Sequence, residues 1–330
     1  MKRHVKSIIE QVASLCGPHR IGGAQRFWIL MYHRILPHVD ARFAQEEPGM
    51  IVTPQSFRQH LRTLKQLFEL LPLSEWIERS NSGKPLPQRA CAITFDDGWL
   101  DNYEFALPIL QQEQVPATLF AVSHMIGTRT QFWPNRVARL IADRSNWQQL
   151  DALDWIRRAG GDFALGVTDR EKLGHIIARL KKQSDVELKE QLEQTERALS
   201  LMPIETPALV NWDQLRAMQN TGLVEIGSHT CNHFRLTADL PPQIAEQEIV
   251  QSKRMLEQQL DRPVNLFCYP NGDSTAHAID LVGRHYTAAV TTRRGINTAS
   301  TAPHQLLRIG IHESVSHTPT KFEARLSGWV

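Results

Sequence analysis

Seven short apolar runs, rich in β-branched and aromatic residues and separated largely by stretches of helical periodicity, set the tightest limit on how this chain can fold. They are Trp28–His33, Cys91–Phe95, Ala117–Val122, Leu223–Gly227, Val264–Tyr269, Thr287–Thr291 and Leu306–Ile311. Near-continuous apolar strands are buried on both faces, and strands alternating with helices join through right-handed crossovers into a parallel sheet. Between the first two runs, Phe57, Leu61, Leu64, Phe68 and Leu71 line one face of a predicted helix, with Thr53 suited to its cap and Pro54 to its first position. Helices are also expected over Asn211–Gln219 and Pro242–Leu260, the latter ending before Arg262-Pro263. His33, Asp96, Asp97, His124, His229, Tyr269 and His312 all stand at or just past strand ends. An α/β barrel gathers such positions on one face, whereas an open sheet would leave the first and last apart. The expected architecture is therefore an incomplete α/β barrel of seven strands.

Within this frame the run Ile93-Thr94-Phe95-Asp96-Asp97-Gly98 is the first that points to chemistry. Two like charges at the end of a buried strand are costly unless a cation or a proton joins them. Such a pair can divide labour, one carboxylate holding a metal and the other taking a proton. Alone, an Asp-Gly pair reads equally well as a turn that caps the next helix. A second motif, Ser228-His229-Thr230-Cys231-Asn232-His233, also follows an apolar strand. Two histidines four apart on a helical turn or tight loop can reach one cation. With 14 histidines in the chain such pairs arise by chance, so the weight rests on the position past a strand end.

Thr94-Phe95-Asp96-Asp97-Gly98 together with His229-Thr230-x-x-His233 resembles the metal-binding core of the polysaccharide deacetylases, carbohydrate esterase family 4, with its NodB-homology domain. Leu30-Met31-Tyr32-His33-Arg34, Asn102 through Leu110, Pro116-Ala117-Thr118-Leu119-Phe120 and Phe267-Cys268-Tyr269-Pro270-Asn271-Gly272 are similar to further segments of that family. The resemblance runs over roughly residues 28 to 312, with a gap over 128–205. It implies a (β/α)7 barrel and hydrolysis of N-acetyl or O-acetyl groups on a carbohydrate substrate, in cell-envelope or exopolysaccharide metabolism. It further implies that Asp97, His229 and His233 hold one divalent ion, zinc first, with cobalt or nickel as alternatives. Asp96 would then be the general base and the backbone N–H of Tyr269 an oxyanion donor. His312, in Ile309-Gly310-Ile311-His312, is the candidate general acid, a surface histidine being the plainer reading. His33 and Arg308 are candidate substrate contacts.

The chain departs from the family where many members carry an arginine just before the Tyr-Pro segment, since Leu266 and Phe267 stand there. Another cation, such as Arg308, would have to support Asp96, or Asp96 lacks that support. The departure leaves open amide or imide hydrolysis on a small non-sugar substrate. A catalytically silent carbohydrate-binding barrel is a third reading, and it fits poorly with Asp96 and all three ligands in place.

Composition bounds the rest. At 330 residues, 42% hydrophobic and 22% charged, the chain can build one barrel-sized core. A net charge of +2 without a basic patch gives no case for nucleic acid. Cys16, Cys91, Cys231 and Cys268 show no disulfide spacing, which suits reduced thiols in a cytoplasm; Cys231 is a further, weaker ligand candidate. No stretch approaches the roughly 20 apolar residues of a membrane span. Residues 1–27 are read as an amphipathic helix and linker, with Lys2, Arg3 and Lys6 beside Val5, Ile8, Ile9, Val12 and Leu15. Glu10, Gln11, Ser14 and Gly17 break the apolar run that a secretory signal needs. Packing on the barrel is expected, with a peripheral place at a membrane surface as the alternative. The barrel is assigned to 28–330 with a helical insertion at 128–205, which leaves from a strand's C-terminal end. Phe132, Trp133, Trp147 and Trp155, with Arg136, Arg139, Arg157 and Arg158, suit either a core or a wall for sugar in that insertion. The oligomeric state is not legible.

Overall fold

The computed structural model describes residues 2–330 apart from 45, 48, 144–147, 149, 151–152, 161–169 and 202–205. The chain forms two compact units, one built from 1–36, 51–128 and 209–330 and the other from 37–50 and 129–208.

The larger unit is the barrel. Its strands are β1 (Arg26–Tyr32), β2 (Arg89–Phe95), β3 (Ala117–Ala121), β4 (Val224–Ser228), β5 (Leu266–Cys268), β6 (Ala288–Arg294) and β7 (Leu306–Gly310). Each pairs in parallel with its neighbour in sequence, and β1 pairs with both β2 and β7, which closes the ring at seven strands. Phe27 lies opposite Ala90, Tyr32 opposite Phe95 and Leu30 opposite Ile309. Each of these seven strands falls on one of the seven apolar runs.

Alternation along the strands sends Phe27, Ile29, Ala90, Ala92, Phe120, Cys268, Val290 and Leu306 into one core cluster. Helix α1 spans Lys2–Cys16, α2 Pro54–Leu67 and α3 Leu73–Asn81. The connection between the first two strands adds Leu71, Leu73, Trp76 and Ile77 to that cluster. Trp76 of α3 stacks on Phe27 with ring centroids 4.3 Å apart and planes 8° from parallel, so α3 closes the end where β1 and β2 begin. Outside the ring, α2 starts as its sequence requires: the Thr53 side chain accepts from the Ser56 N–H, Pro54 takes the first turn, and Phe57, Leu61 and Leu64 are buried.

Behind β1 lies a buried histidine. His60 Nε2 is 2.8 Å from the Ser316 carbonyl, and its ring stacks on Phe322 at 3.9 Å. Burial lowers its pKa from 6.5 to about 4, the Ser316 bond opposing. Below the ordinary histidine value the unfolded chain takes up this proton before the native state does, so acidification favours unfolding. The stability tied to neutral His60 is complete above 6.5 and is lost as pH falls towards 4. At about 1.4 kcal/mol per pKa unit the loss is roughly 3 kcal/mol. Urea unfolding across this range should show the loss in the native protein and a flatter profile in His60→Gln; identical slopes would contradict it.

Helices α4 (Leu107–Glu113), α5 (Trp212–Asn220), α6 (Pro242–Leu260), α7 (Ala276–His285) and α8 (Pro319–Leu326) complete the unit. Asn211 and Gln214 form a capping box at the start of α5. All four cysteines are free thiols. Among the described residues no helix is long and apolar enough to cross a membrane. Helix α1 lies against α8, with Ala13 and Ser14 buried and Ile8, Ile9, Val12 and Leu15 exposed.

The smaller unit includes residues 37–50, which the sequence reading did not join to 128–205. Its helices Trp133–Ala142, Asp154–Arg158, Arg170–Leu180 and Asp185–Ala198 surround a core that includes Val137, Leu140, Ile156, Ile176 and Leu188. Trp133 and Trp155 pack against that core, and Phe132 is buried. Arg136 makes two bonds to Glu196 (3.0 and 2.8 Å), and Arg157 and Arg158 both pair with Asp154. The described aromatics thus serve the core of the unit; Trp147 lies outside the described residues.

Candidate active site

β2 ends at Phe95, and the alternation that turns Ala92 and Thr94 inward carries Asp96 to the mouth of the barrel. The chain then turns through two left-handed residues, Asp97 (φ 79°) and Gly98 (φ 85°). Aspartate tolerates this region and glycine favours it. The turn separates the two carboxylates and gives them different partners.

Asp96 accepts two parallel bonds from the Arg308 guanidinium, 2.7 Å to each oxygen. Arg308 also donates to the Thr291 carbonyl (2.8 Å), Thr94 Oγ1 (3.1 Å) and Cys268 Sγ (3.2 Å). Burial alone would raise the Asp96 pKa, but the charge and bonds of Arg308 outweigh it and hold the carboxyl below its usual range. Arg308 is 0% exposed and all five of its N–H groups are engaged, so the candidate role as a substrate contact is corrected. The residue is inside the barrel behind Asp96 and gives it the cationic support that the absent family arginine left open.

Asp97 Oδ1 lies 3.5 Å from His229 Nε2 and 3.4 Å from His233 Nε2. Its other oxygen accepts the Trp99 indole N–H at 2.8 Å. Trp99 in turn faces the Arg34 guanidinium, 4.2 Å from its ring centre, and Arg34 pairs with Asp101 at 2.9 Å. Asp97 is therefore held from behind with one oxygen facing the histidines. Burial would raise its pKa, yet the two imidazoles beside it, His229 and His233, keep it well below the carboxylate range.

His229 Nδ1 is 2.8 Å from the Cys268 carbonyl, an acceptor that places the proton on Nδ1 and leaves Nε2 its lone pair. The segment to His233 is a tight loop rather than a helical turn, with Thr230 (φ 66°) and His233 (φ 62°) both left-handed. Backbone N–H groups of Ser123 and His124 donate to the carbonyls of Thr230 and Cys231 (3.1 and 3.0 Å), and the Asn232 N–H donates to Glu248 (2.8 Å). The two imidazoles then meet edge to face, 4.9 Å apart.

These three side chains fit a divalent ion. Donors bound tetrahedrally at about 2.1 Å lie about 3.4 Å from one another, close to the separations of Asp97 from both histidines. Asp96, His229 and Cys268 also come within ligand spacing, but Arg308 already occupies both Asp96 and the Cys268 sulfur. The Cys231 thiol points away, to the Gln247 carbonyl at 3.6 Å, so it is not part of the set.

The remaining candidates divide. His33 Nε2 is 3.8 Å from Asp96, at the mouth, and burial lowers its pKa despite both aspartates. His312 is half-buried with Nδ1 2.7 Å from Ser314 Oγ; burial first, then Arg325 and His33, lowers its pKa. Tyr269 corrects the expectation of an oxyanion donor. Its backbone N–H donates to the Val290 carbonyl at 3.2 Å, continuing the β5–β6 ladder, and its hydroxyl donates to the His304 carbonyl. Trp99, Arg34 and Asp101 were missed by sequence reasoning, although Trp99 follows Asp96-Asp97-Gly98 directly.

A closed parallel barrel with carboxylates and imidazoles at the C-terminal ends of its strands is of the enzyme class. The family model for polysaccharide deacetylase matches residues 83–290, more than half of the chain, and the chain belongs to that family. Its members are hydrolases acting on the carbon–nitrogen bonds of acetylated sugars. The poly-β-1,6-N-acetyl-D-glucosamine N-deacetylase of Staphylococcus epidermidis is 27% identical over 200 residues, 54% of this chain and 62% of that protein. The enzyme of the same name from Escherichia coli K12 is 31% identical over 86 residues, 26% of this chain and 13% of that protein. The chain thus spans less than two thirds of either curated relative. Among solved structures, IcaB from Ammonifex degensii aligns with TM-score 0.61 at 17% identity, over 93% of this chain and 99% of that one. The Streptococcus pyogenes deacetylase PplD aligns with TM-score 0.60 at 20% identity, over 91% and 97%. These two likenesses support the shared fold.

Proposed function

We propose that this chain is a metal-dependent N-deacetylase acting on β-1,6-linked N-acetylglucosamine polymers, with a place in exopolysaccharide or cell-envelope metabolism. The observation that carries the reading is the division of the two aspartates, Asp96 against Arg308 and Asp97 against His229 and His233. Asp97, His229 and His233 would hold one divalent ion, with zinc preferred by the two imidazoles. Bound there, such an ion would supply Lewis acidity towards an acetyl carbonyl and an attacking water.

The other residues act around it. Asp96 takes the proton of the water as general base, and the cation behind it keeps it ionised across the working pH range. His312 gives a proton to the leaving amine, and His33 flanks the sugar beside Asp96. Arg308 orients Asp96, which supports the sugar reading over the small amides that the family departure left open. Reduced thiols fit work on the cytoplasmic side.

Free amine appearing on β-1,6-linked N-acetylglucosamine oligomers, measured with acetate, tests the reading. Equimolar amine and acetate are expected, with little turnover of simple amides or cyclic imides. Preference for an imide would overturn it.

A further inference from the structure

Helix α1 is packed in the reverse of the usual sense. Among its described residues the small Ala13 and Ser14 are buried, while Ile8, Ile9, Val12 and Leu15 stand 60%, 48%, 51% and 69% exposed, and Ile21 just beyond is 56% exposed. At about 100° per residue these four helical positions share roughly a third of the helix surface. Single exposed aliphatics need no explanation, but a continuous stripe does.

Charge narrows what covers the stripe. The first two turns of α1 carry Lys2, Arg3 and Lys6, and the one acidic residue of the helix, Glu10, already lies 4.0 Å from Lys6. A second copy would meet these cations with like charge in a parallel pairing. In an antiparallel pairing it would bring up Gly17-Pro18-His19-Arg20, where the carboxylate of Glu323 is already bonded to Arg20. A lipid surface with anionic headgroups satisfies both features, with acyl chains for the stripe and headgroup phosphates for the net basic first turns of the helix.

We propose that α1 is a membrane-surface helix that holds the enzyme peripherally on an anionic phospholipid bilayer, its Ile8–Leu15 stripe at the acyl boundary. The reading stands apart from the catalytic one, because none of these residues belongs to the site.

Flotation of the full chain with phosphatidylcholine vesicles, with and without phosphatidylglycerol, tests it. Retention on the anionic vesicles should exceed that on neutral ones by roughly tenfold to a hundredfold at low ionic strength and fall with salt. Ile8→Ser with Val12→Ser and Leu15→Ser should abolish retention while leaving circular dichroism and activity on soluble oligomers unchanged. Lys2→Gln with Arg3→Gln and Lys6→Gln should remove the preference for anionic lipid. A native protein that stays with the unbound fraction overturns the proposal. So does a dimer in light scattering that the serine variant dissolves, which would give the stripe to a second copy.

Discussion

Arg308→Met should be among the most damaging single changes in this barrel. It leaves Asp96 buried at 3% side-chain exposure with its bidentate partner gone. Breaking one side of a buried ion pair costs about 3–5 kcal/mol, and unfolding by denaturant would read that loss. The same change has a signature that a purely structural residue would not produce. With the guanidinium removed, only the smaller pull of His229 and His33 opposes burial at Asp96, and its pKa rises. A base that protonates at higher pH loses activity sooner on acidification, so the acid limb of kcat/KM should move to higher pH. Arg308→Lys keeps a charge and should return part of that limb. An unmoved limb in a folded Arg308→Met protein would remove Asp96 from the role of base, or Arg308 from its support.

Asp96→Asn should cost roughly 10²–10⁴-fold in turnover while keeping metal affinity. The asparagine still accepts one bond from Arg308 but leaves the guanidinium without its counter-charge, so some stability is lost as well. Because the two residues share one interaction, Asp96→Asn with Arg308→Met should cost less stability than the sum of the single changes. Titration with zinc separates the roles of the aspartates. An Asp96→Asn protein that no longer binds the ion would show that Asp96, and not Asp97, is the ligand.

Much of this was legible in the sequence because barrel strands are buried on both faces and read as apolar runs. All seven runs became strands of one ring, and Pro242–Leu260 became a helix with those bounds. What escaped was set by tertiary contacts. Helix Leu73–Asn81 is short and mixed, and it is explained by Trp76 meeting Phe27 rather than by its own periodicity. The Glu69–Leu70 strand has two residues and exists only by pairing with β2.

The site divides the same way. Local motifs announced Asp96, Asp97, His229 and His233, since each pair sits in a few residues. The Arg308 role did not announce itself, because 212 positions separate it from Asp96 and only barrel closure joins β7 to β2 through β1. Tyr269 failed as an N–H donor for the same reason, since the demand of the ladder at Val290 is invisible along the chain. The outward stripe of α1 looked like ordinary amphipathicity, and the sequence cannot say which side a helix presents to its neighbour.

The central claim is that Asp97, His229 and His233 hold one divalent ion on which deacetylation depends. The direct measurement is metal content together with amine release, made on the native protein and on His233→Ala after chelation and addition of zinc. One ion per chain and restored activity are expected for the native protein, with neither in the variant. Amine release by His233→Ala at the native rate, or by the native protein stripped of metal, would contradict the account.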